Sequence, residues 1–186
     1  LYNWRIIMDI FSLNQAFFSE KFKNKSEVEH NKNGTRPYYY SFKYNNQNIC
    51  IPLRSNAKKT PNRFKLGLKH LEKNRIAPAV DSTKMIILSD QEIEENKREV
   101  VMNRRTYRFL EKNESLIKQK FKNHIDDYVS TVANGNRDKP NARFSTLQYY
   151  HTELDLNTKI EERKVKKAVE FLNYKPQKVQ QNDLEL

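Results

Sequence analysis

The chain holds one cysteine, three glycines and six prolines among 186 residues, and each scarcity removes a class of protein. A single Cys50 can form no internal disulfide and no cysteine-based zinc site. It sits in an apolar run, so a buried structural thiol is expected. Walker-type phosphate binding needs glycines that the chain lacks, and neither a P-loop nor a GxSxG elbow occurs. The four histidines, His30, His70, His124 and His151, are scattered and form no HxxxH-like pair, so no metal or other cofactor is expected. No run approaches the ~20 apolar residues of a membrane span, and no membrane partner is expected. The start LYNWRIIMDIFSL is apolar but lacks the basic flank and small-residue cleavage site of a signal peptide, which points to the cytoplasm. The chain opens at Leu1, as a trimmed fragment or a non-AUG start would, with Met8 a second possible start.

What remains is basic and aromatic. Net charge is +12, with 10 Tyr and 10 Phe, and the sequence pI is about 9.6 at a mean hydropathy of −0.96. That balance excludes full disorder and favours a polyanionic partner. The length fits one domain, placed over 1–175, with 176–186 a frayed tail.

The first half reads as sheet. A β-like run lies at Arg5–Leu13, ahead of the aromatic pair Phe17 and Phe18, and 23–36 is a polar loop. YYYSFKY (Tyr38–Tyr44) and ICIPL (Ile49–Leu53) form a hairpin across asparagines that tolerate left-handed turns. Pro52 cannot donate to a ladder, so the second strand is expected to end or lie at an edge there. Residues 54–78 read as irregular apart from a short helix near Leu66–Glu72, and KMIILSD (Lys84–Asp90) as a buried strand. The second half is helical. Tyr107, Leu110, Ile117, Phe121, Ile125, Tyr128, Val129 and Val132 share one face, broken near Asn113 and stopped at Asn134-Gly135-Asn136. A shorter helix is expected over Ser145–Leu154 and a charged one over 158–172, with Glu162 and Lys166 at i,i+4. The class is α+β: an antiparallel sheet wrapped by helices.

Charge is concentrated. Between Arg36 and Arg75 lie ten basic residues and one acid, Glu72, so this segment carries +9 of the net +12. Cations track phosphates, and tyrosines such as Tyr38 either stack unpaired bases or pack in the core. Within the segment Ser55 follows an apolar strand and is surrounded by cations. A hydrolase serine needs a histidine base, and none is near in sequence. RNA supplies its own nucleophile, the 2′-hydroxyl, so alignment, charge stabilisation and proton movement by Arg, Lys and Ser suffice. The residues therefore allow a metal-free ribonuclease and, equally, a non-catalytic RNA- or DNA-binding module using segment 36–75.

IPLRSNAKK (Ile51–Lys59), the buried MIIL (Met85–Leu88) and FSTLQYYHTELDL (Phe144–Leu156), in that order, resemble the endoribonuclease toxins of type III toxin–antitoxin systems, the ToxN, AbiQ, CptN and TenpN relatives, with the TenpN pattern nearest. The resemblance spans roughly 36–156. It implies a MazF/Kid-like core and metal-independent cleavage leaving a 2′,3′-cyclic phosphate. It also implies inhibition by a small repeat RNA antitoxin, processed by the toxin and held in a closed RNA–protein assembly, with cellular or phage RNA as substrate and phage defence as the setting. Carried over residue by residue, Ser55 is the family serine, Arg54 stands where ToxN-type members have Thr, and Arg36 where they have Lys. Their lysine two positions after the serine falls on Ala57, and Lys58 comes one later; the histidine that TenpN-type members carry beyond this point is absent before His70. The implied roles are phosphate or 2′-hydroxyl contact by Ser55, phosphorane stabilisation by Arg54 and Arg36, and proton transfer by Lys58. Asn56, Lys59, Arg63, Lys65 and Tyr38 would bind RNA. His151 and Glu153 belong to the C-terminal motif, as a structural pair or as acid/base groups.

Overall fold

The computed structural model describes residues 10–68 and 77–173. The expected tail, the beginning of the first strand, and Lys69, His70, Lys73 and Arg75 lie outside them. Among the described residues seven strands form one antiparallel sheet: β1 (Ile10–Leu13), β2 (Tyr38–Tyr44), β3 (Gln47–Arg54), β4 (Lys65–Gly67), β5 (Ala79–Asp81), β6 (Ile86–Leu88) and β7 (Lys97–Glu99). Accompanying them, among the described residues, are the α-helices α1 (Gln15–Phe22), α2 (Asp90–Asn96), α3 (Arg104–Lys112), α4 (Glu114–Ala133), α5 (Pro140–Arg143) and α6 (Leu156–Asn173). The α+β class is as expected.

The order is β4-β5-β3-β2-β1-β7, with β6 also on β3. The central hairpin β2–β3 closes through Asn45 and Asn46, both at positive φ (48° and 58°), between the paired Tyr44 and Gln47. Two successive left-handed residues make the two-residue turn that suits strand twist. β3 is central, which corrects the expectation that Pro52 marks an end or an edge. The far side of β3 is shared: β6 pairs with Asn48–Cys50 and β5 with Leu53–Arg54. Leu53 donates to the Pro37 carbonyl, on the β2 side. Alternation therefore turns the proline nitrogen toward the gap between β5 and β6, where no donor is needed.

Both faces of the sheet are covered. Tyr39, Ile49, Ile51 and Leu53 pack with α3, α4 and the chain beyond them, through Leu110, Phe121, Ile125, Leu147 and Leu154. Tyr38, Cys50, Ile86 and Leu88 pack on the other face against Phe18 and Phe22 of α1. The helical period is realised in α3 and α4, which are separated at Asn113. Gly135 (φ 75°) ends α4, with its N–H on the Val132 carbonyl and that of Asn136 on the Thr131 carbonyl, the bonding pattern of a Schellman stop.

Three elements differ from expectation. Leu66 and Gly67 lie in strand β4, not a helix, because they pair with β5. Of Lys84–Asp90 only Ile86–Leu88 is strand; Lys84 ends a 3₁₀ turn and Asp90 opens α2, where Ser89 and Glu92 form a reciprocal capping box. In place of a helix over Ser145–Leu154 there is a 3₁₀ turn, Thr146–Tyr149, followed by turns. The Ser145 hydroxyl caps it, Thr146 donates to the Met85 carbonyl, and Asp155 has φ 52°, which α-helix cannot continue through. In α6 the i,i+3 pair Glu161–Lys164 forms.

Candidate functional site

Strand β3 delivers Arg54 and Ser55 to the end of the sheet. The loop behind them is fastened by backbone bonds: Ala57 donates to Ala77 (2.9 Å) and Thr60 to Ala57 (3.1 Å). The Lys65 ammonium also donates to the Ala57 carbonyl. Ala57 is 1% exposed, so the position that resemblance reserves for lysine is interior here, and Lys58 and Lys59 project outward instead. The Asn56 side chain accepts from the Lys58 backbone N–H (3.0 Å), a local turn that holds its oxygen on the loop.

The lysine at Ser55 comes from elsewhere. Lys32 donates from Nζ to Ser55 Oγ at 3.3 Å. Lys32, Asn33 and Gly34 all have positive φ (51°, 56° and 81°). A β-carbon on Gly34 would lie 3.4 Å from the Leu13 carbonyl, and its φ is one that side chains rarely adopt. Fully buried Asn31 moors this turn: its Nδ2 donates to Leu13 O (3.0 Å) and Gln15 Oε1 (3.1 Å), while its carbonyl accepts from Gly34 and Arg36 N–H. His30 Nδ1 accepts from the Lys32 N–H at 2.9 Å, so the proton of the neutral ring sits on Nε2. Lys32 and His30 escaped sequence reasoning because 23–36 reads only as a polar loop; its Asn33-Gly34 turn signal was the one available cue.

The two arginines are not free cations. Glu29 accepts from Arg54 Nη2 (2.6 Å) and from Arg36 Nη2 (3.4 Å). Asp81, 0% exposed, takes Arg54 Nη1 at 2.5 Å, the Thr60 hydroxyl at 2.8 Å, and the backbone and side chain of Thr83. Arg36 is buried and its Nε donates to the His30 carbonyl (2.6 Å). Arg36 and Arg54, expected at a phosphate, are both held by carboxylates and brace the turn carrying His30 and Lys32 against Ser55. Tyr38, expected to bind RNA, is 0% exposed in the sheet core, and burial raises its hydroxyl pKa.

Other assigned residues have structural partners. Arg63 pairs with Asp127 of α4 and lies over the Phe64 ring, centroid 4.6 Å away. His151 uses both nitrogens, Nε2 with the Tyr128 hydroxyl (2.9 Å) and Nδ1 with Asn157 (2.7 Å), joining α4 to α6. Among the described residues, neither of these partners comes from the Ser55 loop. The Glu153 carbonyl accepts from Asn45 at the hairpin turn. Among the described residues no helix is long and apolar enough to cross a membrane.

The sheet, its two helical layers and the Ser55–Lys32 corner define an α+β fold with a cationic loop cluster at one end of its central strand. No family model matches the sequence, and no curated protein matches it. A solved structure does match in fold: one described with bacterial type III toxin–antitoxin systems and selective toxin inhibition by a non-coding RNA pseudoknot. The similarity covers 90% of this chain and 99% of that one, at 18% identity and a TM-score of 0.51.

Proposed function

We propose that this chain is a metal-independent endoribonuclease toxin of a type III toxin–antitoxin system, acting in the cytoplasm on cellular or phage RNA and inhibited by a repeat RNA that it processes and binds in a closed assembly. The observation that carries the reading is the Lys32–Ser55 contact of 3.3 Å, on a fold similar to that of the type III structure. Ser55 Oγ accepts from an ammonium, so its own hydrogen remains available to a phosphate oxygen. The substrate 2′-oxygen bonds to phosphorus as the P–O5′ bond breaks, leaving a 2′,3′-cyclic phosphate. The 2′ proton leaves to solvent or a basic group, and the Lys32 ammonium supplies the proton taken by the departing 5′-oxygen. His30, whose Nδ1 is occupied by the Lys32 N–H, presents only Nε2 to the substrate. Lys58 and Lys59 meet the flanking phosphates.

The engagement of Arg36 and Arg54 by carboxylates favours a second reading, an RNA or DNA binder that uses the same exposed lysines without chemistry. Incubation of purified protein with repeat RNA in EDTA, followed by analysis of the product ends, separates them. Cleavage to cyclic-phosphate ends that is lost in Ser55→Ala, with binding retained, is the expected result. Absence of cleavage, or cleavage that requires magnesium, overturns the enzyme.

A further inference from the structure

Beside the Ser55 corner lies an open cleft of about 460 Å³, between α1 and the chain at 23–30. Its volume falls in the range of small-ligand sites. Phe18 and Phe22, tilted against each other with centroids 4.8 Å apart, supply an aromatic wall. Lys25, Lys84, Glu27 and His30 are among its other lining residues. The cleft is continuous with the candidate site. His30 and Glu29 line it, and these residues bind the backbone of Lys32 and the side chain of Arg54, on either side of Ser55.

Two of its cations are unusual. The Lys25 ammonium stands over three rings, Phe22 (5.4 Å), Tyr149 (5.9 Å) and Tyr150 (5.1 Å), and has no hydrogen bond or salt bridge among the described residues. Lys84 uses one proton on the Phe144 carbonyl (2.8 Å), leaving two donors. Burial lowers the pKa of both ammonium groups. A partly desolvated donor beside aromatic rings calls for a flat ligand with acceptors at its edge.

We propose that this cleft seats an unpaired purine base of the RNA, from the nucleotide next to the scissile phosphate. The base lies against the phenylalanine wall and its ring-nitrogen or carbonyl acceptors take protons from Lys25 and Lys84. A purine is chosen because its second ring adds stacking area and a further acceptor edge. The inference rests on the RNA-cleaving reading and makes the cleft its specificity determinant.

The test uses a randomised single-stranded RNA pool and sequencing of the cut ends. Wild-type protein should show purine enriched at one fixed position beside the cut. The enrichment should fall by about 10-fold in Lys25→Met and in Ser26→Trp, whose indole enters the cleft from an exposed loop position. Unchanged enrichment in both variants, or wild-type cutting with no preference beside the cut, overturns the proposal. If wild-type protein leaves the pool uncut, the enzyme reading has failed instead, and the cleft is judged by binding. A short oligonucleotide with one abasic position should then bind wild-type protein about 10-fold more weakly than its purine parent, and Lys25→Met should bind the two alike. Equal binding of both by wild-type protein overturns it.

Discussion

Removing the Asp81 carboxylate should cost more stability than removing any exposed charge of this chain. Asp81 is 0% exposed and accepts four hydrogen bonds, from Arg54, Thr60 and, twice, Thr83. Truncation to Ala leaves the Arg54 guanidinium, its side chain 19% exposed, with Glu29 and a long 3.5 Å contact to the Thr60 hydroxyl. Breaking one partner of a buried pair costs about 3–5 kcal/mol. The surviving Glu29 contact argues for the lower end, and loss of the cap on the 3₁₀ turn adds about 1, giving about 4 kcal/mol for Asp81→Ala. Arg54→Met leaves a buried carboxylate with three donors and should cost about 3. The double variant should cost about 5, not the sum, because neither charge is then stranded; the coupling is about 2 kcal/mol. Urea unfolding followed by circular dichroism reads all four proteins; with a slope of about 2 kcal/mol per molar, Asp81→Ala should shift the midpoint by about 2 M. Arg63→Ala is the control: its side chain is 59% exposed, and its loss should cost under about 1 kcal/mol. Additivity of the two singles within about 0.5 kcal/mol, or an Asp81→Ala cost no larger than that of Arg63→Ala, would refute the reasoning.

Three further outcomes follow from the geometry. His124 is fully buried, with Nε2 on Ser145 (2.8 Å), and desolvation, opposed by Asp81 and Asp127, lowers its pKa to about 4. An unfolded chain takes up the His124 proton near pH 6.5 and the folded one only near 4, so this contribution is complete above pH 6.5 and is lost as pH falls toward 4. Roughly 3 kcal/mol disappears over that window; His124→Gln should remove this share of the acid sensitivity, and an unchanged pH–stability difference would count against it. Lys32→Met should reduce RNA cleavage by about 100-fold, whereas Lys58→Met should reduce it by less than 10-fold and mainly through KM; the reverse ranking would return the proton transfer to Lys58. Cys50 should resist a thiol reagent until the protein unfolds, since burial raises its pKa and its exposure is 0%; rapid labelling of the folded chain would contradict the sheet packing.

Periodicity was legible where one face of an element is buried. The α3–α4 break at Asn113, the Asn45-Asn46 hairpin and the Gly135 stop all rest on local backbone chemistry, and each is present. Errors came where a distant neighbour decided. Leu66 joins a strand because β5 is beside it. Pro52 sits mid-sheet because a gap in the opposing strand faces its nitrogen. Residues 145–154 leave the α-helix because Ser145 and Thr146 spend their hydroxyls on His124 and on the Leu147 and Met85 backbone.

The candidate site divides in the same way. Counting along the chain places ten cations and one acid between Arg36 and Arg75, and the apolar Ile49–Leu53 run puts Ser55 at a strand end within that basic segment. Counting in space gives another result. Glu29, Asp81, Asp90 and Asp127 arrive from outside or across that segment and neutralise Arg36, Arg54, Lys43 and Arg63. Lys32, outside it, reaches the serine. Composition and spacing thus determine the strand, the helices and the sign of the charge, because these depend on neighbours within a few residues. Which cations face a ligand and which brace the fold is set by carboxylates far away in sequence, since an ion pair depends on a few ångströms of distance and not on order along the chain.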